Sequence, residues 1–107
     1  MAFKERRSAV RVPLNIWVEQ TTETGELYYQ RTANVSETGV YLDKTIPHPP
    51  GTIVNLKFTL PGQNEEISVI GEIVAHHDGD GLGMGVKFIN PSKKVVELIR
   101  EYVGRML

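Results

Sequence analysis

Arginines crowd the N-terminus of this 107-residue chain, immediately before a run of alternating apolar residues. The stretch KERRSAVR contains Arg6, Arg7 and Arg11, and the last two are four residues apart. In an extended or a helical backbone, that spacing directs both guanidinium groups to the same side. Each guanidinium is a planar fork of donors that matches phosphate oxygens or the O6/N7 edge of guanine. The cluster therefore indicates anion binding, with a solvated basic tail as the alternative.

A second polar cluster, NVSETG, spans residues 34–39. Val35 continues an apolar phase, so Asn34 and Ser36 are predicted to lie on the outer face of the sheet. Gly39 permits either a positive φ or a close approach by another group. An asparagine or serine oxygen can accept from the N1–H or the amine of guanine. By itself the stretch is typical of a simple turn; beside the arginines, its natural complement is a guanine-containing anion.

The elements that must position these clusters are mostly strands, because apolar residues recur with a period of two. The first such run holds Val10, Val12, Leu14, Ile16 and Val18. Five more strands are predicted at residues 27–35, 39–44, 52–60, 66–77 and 82–90, with Gly71 marking a bend or bulge. After residue 92 the period becomes helical, and the predicted apolar face is Val95, Leu98, Ile99, Tyr102 and Met106.

Six short strands that each have one apolar face predict a mainly β fold, a six-stranded antiparallel barrel with a C-terminal helix. The predicted organisation is a single domain over residues 1–107. It divides into a flexible basic arm (1–10), the barrel (10–90) and the helix (91–107).

The distribution of charged residues and the absence of cysteine narrow the classes of function that this chain can have. Residues 1–11 carry four basic side chains and one acidic one, whereas the remaining 96 residues carry 8 basic and 12 acidic. A compact basic spot on an acidic body suits a small anion better than DNA or RNA. The absence of cysteine excludes disulfides and thiolate metal sites. The sequence shows no secretory signal and no apolar run long enough to span a bilayer, so we expect a cytoplasmic protein without membrane insertion.

The two clusters together resemble the signatures of the PilZ domain family, R-x-x-x-R and [D/N]-x-S-x-x-G. The first falls on Arg7 and Arg11, and the second on Asn34, Ser36 and Gly39. The resemblance continues through GVYL, GMGVKF and the final helix, so it covers nearly the whole chain.

This resemblance implies a split-barrel type of fold and a bacterial receptor for the second messenger cyclic di-GMP, without catalysis or a catalytic cofactor. Arg7 and Arg11 would grip phosphates and guanine edges, and Asn34, Ser36 and Gly39 would hold a guanine. Arg6, a basic residue before the first motif arginine, implies two intercalated ligand molecules. The family commonly acts through an effector protein on motility, surface polysaccharide or virulence. Asn34 stands where many relatives have aspartate, which removes a charge-assisted acceptor.

Other interpretations remain open. A PilZ-like adaptor would bind a protein partner and no nucleotide, and a small barrel could bind single-stranded nucleic acid, with Trp17 in a stacking platform. For Trp17, packing in the barrel or beneath the helix is the simpler expectation. The stretch HHDGDG, residues 76–81, contains metal-ligand types, but its spacing favours a hairpin turn. We predict no metal site and no catalytic residues.

Overall fold

The computed structural model of the protein describes residues 9–74 and 81–107. Within these residues the chain forms seven strands and then one helix. In chain order they are β1 (Val12–Pro13), β2 (Trp17–Thr22), β3 (Leu27–Ser36), β4 (Gly39–Asp43), β5 (Ile53–Phe58), β6 (Ile67–Val74), β7 (Met84–Phe88) and α1 (Lys93–Met106).

The strands form one antiparallel sheet in the order β1-β3-β2-β5-β6-β7-β4, and β4 also pairs with β3. That last pairing closes the sheet on itself. β1 and β2 pair with successive parts of β3, so they are two pieces of one interrupted strand. The result is a closed six-stranded barrel with a C-terminal helix, which confirms the predicted fold class.

The interruption of the first strand has a local cause in the side chain of Thr32. Its hydroxyl is buried, donates to the carbonyl oxygen of Leu14 at 2.7 Å and accepts from the backbone nitrogen of Ile16 at 3.0 Å. Pro13, just before the break, has no N–H for the ladder. The Thr32 side chain thus takes the hydrogen bond of Ile16 N, while Leu14 N still donates to the carbonyl oxygen of Ala33 and Thr32 N to that of Ile16, both at 3.0 Å. The sequence alternation did not reveal this irregularity.

The buried interior is mostly apolar, and its apolar residues largely follow the predicted alternation; the buried polar side chains among the described residues are Gln20, Gln30, Thr32 and Ser36. Fully buried side chains include Val18, Val35, Val40, Leu42, Leu56, Ile67, Ile73 and Met84. The prediction failed where the alternation continues past the end of a strand, at Val10 and Leu82, which are 45% and 43% exposed, and at the last residue of α1, Met106, which is 47% exposed. Conversely, Val103 of α1 is buried and was not predicted.

The predicted irregularity at Gly71 is not present. Gly71 pairs in regular register with Val54 on one side and Phe88 on the other. A Cβ at this position would overlap the side chain of Val86, so the glycine serves close packing. The register shift in the sheet lies instead between Thr32 and Asn34, opposite β4.

The helix α1 begins after Ser92, whose side chain accepts from the backbone nitrogen of Val95 at 3.1 Å. Its buried face consists of Val95, Ile99, Tyr102 and Val103. Polar contacts hold the helix to the loop before β6: Lys94 pairs with Glu65 at 3.0 Å, and Gln63 Nε2 donates to the carbonyl oxygen of Leu98 at 2.8 Å.

Candidate functional site

The two polar clusters meet at the end of β3. β1 runs antiparallel to β3, with Val12 opposite Val35 and Pro13 opposite Asn34. This register brings Arg11, the residue before β1, beside the last residues of β3. Arg11 Nη1 donates to Asn34 Oδ1 at 2.9 Å on an exposed surface. The structure therefore joins one member of each motif, a contact that the phasing of the strands permitted without requiring.

Asn34 owes its position to the bulge in β3. The register between β3 and β4 shifts between Thr32 and Asn34, after which Asn34 lies opposite Tyr41. Bulges re-aim side chains and commonly occur beside functional sites. Asn34 is half-buried, and a carbonyl oxygen has two lone pairs. Its bond to Arg11 consequently leaves an acceptor position for a second donor.

Ser36 was predicted on the outer face, but its side chain is 0% exposed. The turn after β3 folds back onto it: Thr38 N donates to Ser36 Oγ at 3.1 Å, and the hydroxyls of the two residues are 3.0 Å apart. A serine hydroxyl that bonds the backbone two residues later stabilises a tight turn. In this conformation Ser36 orders the turn.

Gly39 was expected to allow either a positive φ or a close approach. Its φ does not fall in the left-handed region, and a Cβ would overlap the carbonyl oxygen of Val86 on β7. Gly39 pairs with Lys87, and Phe88 N donates to the carbonyl oxygen of Thr38 at 2.9 Å. The close approach is thus between two strands, and it anchors the turn to β7.

An ion pair at this turn was absent from the sequence prediction. Arg100 of α1 donates to both carboxylate oxygens of Glu37, from Nε at 3.1 Å and from Nη2 at 3.0 Å. These hydrogen bonds are the main reason why the pKa of Glu37 lies below its ordinary value; burial opposes them, and the charge of Arg100 adds a smaller lowering effect. The same contacts raise the pKa of Arg100. Since 63 residues separate the partners, no local pattern could have indicated the pair.

Several residues that the sequence analysis singled out cannot be placed relative to this site. Arg6 and Arg7, and most of the predicted arm, lie outside the described residues, as do His76, His77 and Asp80. In the described part of the chain, no group of three His, Cys, Asp or Glu side chains is arranged to hold a metal ion. Likewise, over residues 9–74 and 81–107, no helix is long and apolar enough to cross a membrane.

A separate groove of about 1120 Å³ lies on the outside of the barrel, between the start of β2, the middle of β3 and the end of α1. Trp17, Tyr29 and Arg31 line it, but Arg11, Asn34 and Ser36 do not. Trp17 is 61% exposed, so the expectation that it packs in the barrel or under the helix is wrong. The Arg31 guanidinium carbon lies 4.9 Å from the centre of the Trp17 ring, which is cation–π distance.

The family model described as the PilZ domain matches residues 5–105 of the chain. The chain belongs to the PilZ domain family. This match spans both motifs and α1, which confirms the resemblance identified from Arg7, Arg11, Asn34, Ser36 and Gly39. No curated protein matches the chain.

Solved structures show the same fold. The Bacillus subtilis inhibitor of motility, MotI/DgrA, superposes with a TM-score of 0.76 at 18% identity, over 94% of this chain and 51% of that chain. Our chain therefore spans about half of that protein. The PilZ domain of CeSA from a cellulose-synthesizing bacterium gives 0.66 at 24% identity, over 91% and 98% of the two chains. The PilZ domain of Escherichia coli YcgR with c-di-GMP gives 0.69 at 15% identity, over 94% and 91%.

Proposed function

We propose that this PilZ domain is a cytoplasmic, non-catalytic receptor for cyclic di-GMP. The observation that carries the proposal is the 2.9 Å hydrogen bond between Arg11 and Asn34. Through that bond, a donor fork suited to phosphate and guanine edges stands next to an acceptor suited to guanine N–H groups. Membership of a family of regulatory receptor domains supports the same ligand.

Each motif residue has a separate part in the proposed complex. Arg7 and Arg11 bind phosphate oxygens and the O6/N7 edge of guanine. Asn34 uses its second lone pair to accept from guanine. Ser36 and Gly39 contribute indirectly, because the buried hydroxyl and the glycine-dependent contact with β7 hold the turn that presents Asn34. The family relationship leads us to include Arg6, as the residue that favours two intercalated ligand molecules.

Ligand binding would become a signal by ordering the basic arm against the barrel. Residues 1–10 would bridge to the outer face of β3 through the ligand and change the surface offered to an effector protein. The named outputs of two solved relatives, motility for one and cellulose synthesis for the other, make motility or polysaccharide regulation the processes to examine first.

The decisive experiment is calorimetric titration of cyclic di-GMP into the wild type, Arg7→Ala and Arg11→Ala. Each charged contact is worth about 1.5–3 kcal/mol, so each variant should bind at least tenfold more weakly. Wild type should show two ligands per chain, and Arg6→Leu should show one. Lys57→Ala is a matched control, since it removes an exposed cation from β5. The proposal fails if the wild type does not bind, or if either arginine variant retains its affinity.

The exposed groove favours a second candidate function, an adaptor that binds a protein partner and no nucleotide. Tryptophan, tyrosine and arginine are the residues that dominate binding energy in protein interfaces, and Trp17, Tyr29 and Arg31 occupy the groove together. Under this alternative the titration gives no heat. Partner capture would then depend on Trp17, and it would be unaffected by Arg11→Ala.

A further inference from the structure

The ion pair between Glu37 and Arg100 occupies an unusual place in the proposed receptor. Glu37 lies inside the second motif, between Ser36 and Gly39, and adds a carboxylate to the turn at which an anionic ligand is proposed to bind. Arg100 reaches this turn from α1 and grips both carboxylate oxygens. The two side chains are 37% and 64% exposed, so the pair is open to solvent and to a ligand.

The electrostatic consequence is a competition. An unpaired Glu37 would repel the phosphates of a ligand held at Asn34. Arg100 cancels that charge, and its guanidinium has five donors, of which the bonds to Glu37 use two. A phosphate is as good an acceptor for this fork as a carboxylate. Arg100 can therefore donate hydrogen bonds to Glu37 in the free protein and to a ligand phosphate in the complex.

The helix that carries Arg100 also contacts the other half of the site. The hydroxyl of Tyr102 donates to the carbonyl oxygen of Pro13 at 3.0 Å, two residues after Arg11. The Tyr102 side chain is buried, so this contact holds α1 firmly beside β1. The same helix thus contacts β1 through Tyr102 and the β3–β4 turn through Arg100.

We propose that Arg100 is a further ligand-binding residue of this site. When the ligand binds, Arg100 exchanges its hydrogen bonds to Glu37 for hydrogen bonds to a ligand phosphate, so that α1 responds to ligand binding. This inference rests on the proposed function. No covalent step is involved: one set of charged hydrogen bonds replaces another. The release of Glu37 removes a tie between α1 and the β3–β4 turn, so the helix is the element whose surface responds to the messenger.

The proposal makes opposite predictions for the two partners of one ion pair. Arg100→Gln removes a phosphate donor and leaves Glu37 uncompensated, so cyclic di-GMP should bind about tenfold more weakly. Glu37→Gln removes the competing carboxylate and frees Arg100, so binding should equal or exceed that of the wild type. A purely structural pair would weaken binding in the same direction from either side.

The experiment is calorimetry with cyclic di-GMP on the wild type, Arg100→Gln, Glu37→Gln and Lys94→Gln. Lys94 offers a matched control, because it forms a similarly exposed 3.0 Å ion pair from the same helix to Glu65. Its variant loses the same charge from α1 and should stay within about twofold of wild type, since exposed pairs contribute little. Thermal melting of each variant checks that all four proteins are folded.

The outcomes separate this inference from the proposed function. If the wild type binds cyclic di-GMP and the dissociation constant of Arg100→Gln lies within twofold of the wild-type value, the role of Arg100 is overturned and the proposed receptor function still stands. Equal losses in Glu37→Gln and Arg100→Gln likewise overturn it in favour of a structural pair. If Lys94→Gln loses as much affinity as Arg100→Gln, the effect is one of net charge, and the proposed role of Arg100 is again overturned. Absence of binding in the wild type removes both proposals together.

Discussion

Arg11 and Asn34 are 23 residues apart in the chain, and their side chains are joined at 2.9 Å on the outside of the barrel. The register of β1 against β3 creates this contact, with Pro13 opposite Asn34. A two-residue strand is thus sufficient to bring Arg11 beside the second motif.

The acceptor at Asn34 can be strengthened. Asn34→Asp adds a formal charge, and a hydrogen bond to a charged group contributes about 1 kcal/mol more than a neutral one. We expect cyclic di-GMP to bind about fivefold tighter, as measured by calorimetry. Asn34→Leu, which keeps the size but has no acceptor, should bind at least tenfold more weakly. Weaker binding by Asn34→Asp would contradict the assigned role.

Gly39 tests the packing of the turn against β7. Gly39→Ala places a Cβ against the carbonyl oxygen of Val86, and forced overpacking costs about 1–3 kcal/mol. The melting temperature should fall by about 4–8 °C for each kcal/mol. Gly104→Ala is the control, because its Cβ meets nothing within 4 Å on α1, and alanine there should stabilise the helix by about 0.5–1 kcal/mol. Unchanged melting of Gly39→Ala would refute the close approach.

Ser36 tests whether the turn is ordered by a buried hydroxyl. Ser36→Ala removes the part-buried hydrogen bond to the backbone N–H of Thr38, and such a bond contributes about 0.5–1.5 kcal/mol. Urea unfolding should report a lower midpoint with an unchanged slope. Ser68→Ala, on the exposed face of β6, should change stability by no more than about 0.5 kcal/mol. Equal midpoints for the two variants would mean that the turn does not need this bond.

The Glu37–Arg100 pair predicts a pH dependence of stability. Because the folded-state pKa of Glu37 is lowered by Arg100, the pair stabilises the protein above the ordinary carboxyl pKa of about 4.3 and loses this effect as the pH falls. The pair is exposed, so its contribution at pH 7 should be small. The difference in melting temperature between wild type and Arg100→Gln should shrink as the pH falls through the folded-state pKa of Glu37. A difference that does not shrink at acidic pH would assign it to packing of the arginine stem.

The sequence predicted which residues are buried in the core more accurately than it predicted the arrangement of the site. Alternation correctly identified the inward faces of β4, β5 and β6, since a residue on a strand points in or out by parity alone. It failed at Val10 and Leu82, where the apolar pattern extends beyond the regular strand, and helical spacing failed at Met106, the last residue of α1. Parity also misjudged Ser36, because the following turn covers a position that the strand alone would expose.

The sequence by itself determined which residues alternate, which residue types can bind an anion, and to which family their spacing belongs. Those properties are local, and backbone periodicity and side-chain chemistry express them directly. Only the tertiary structure decided that Arg11 meets Asn34, that Thr32 interrupts the first strand, and that Arg100 reaches Glu37. These contacts join distant parts of the chain, so they depend on strand register and helix packing, which are set by the fold as a whole.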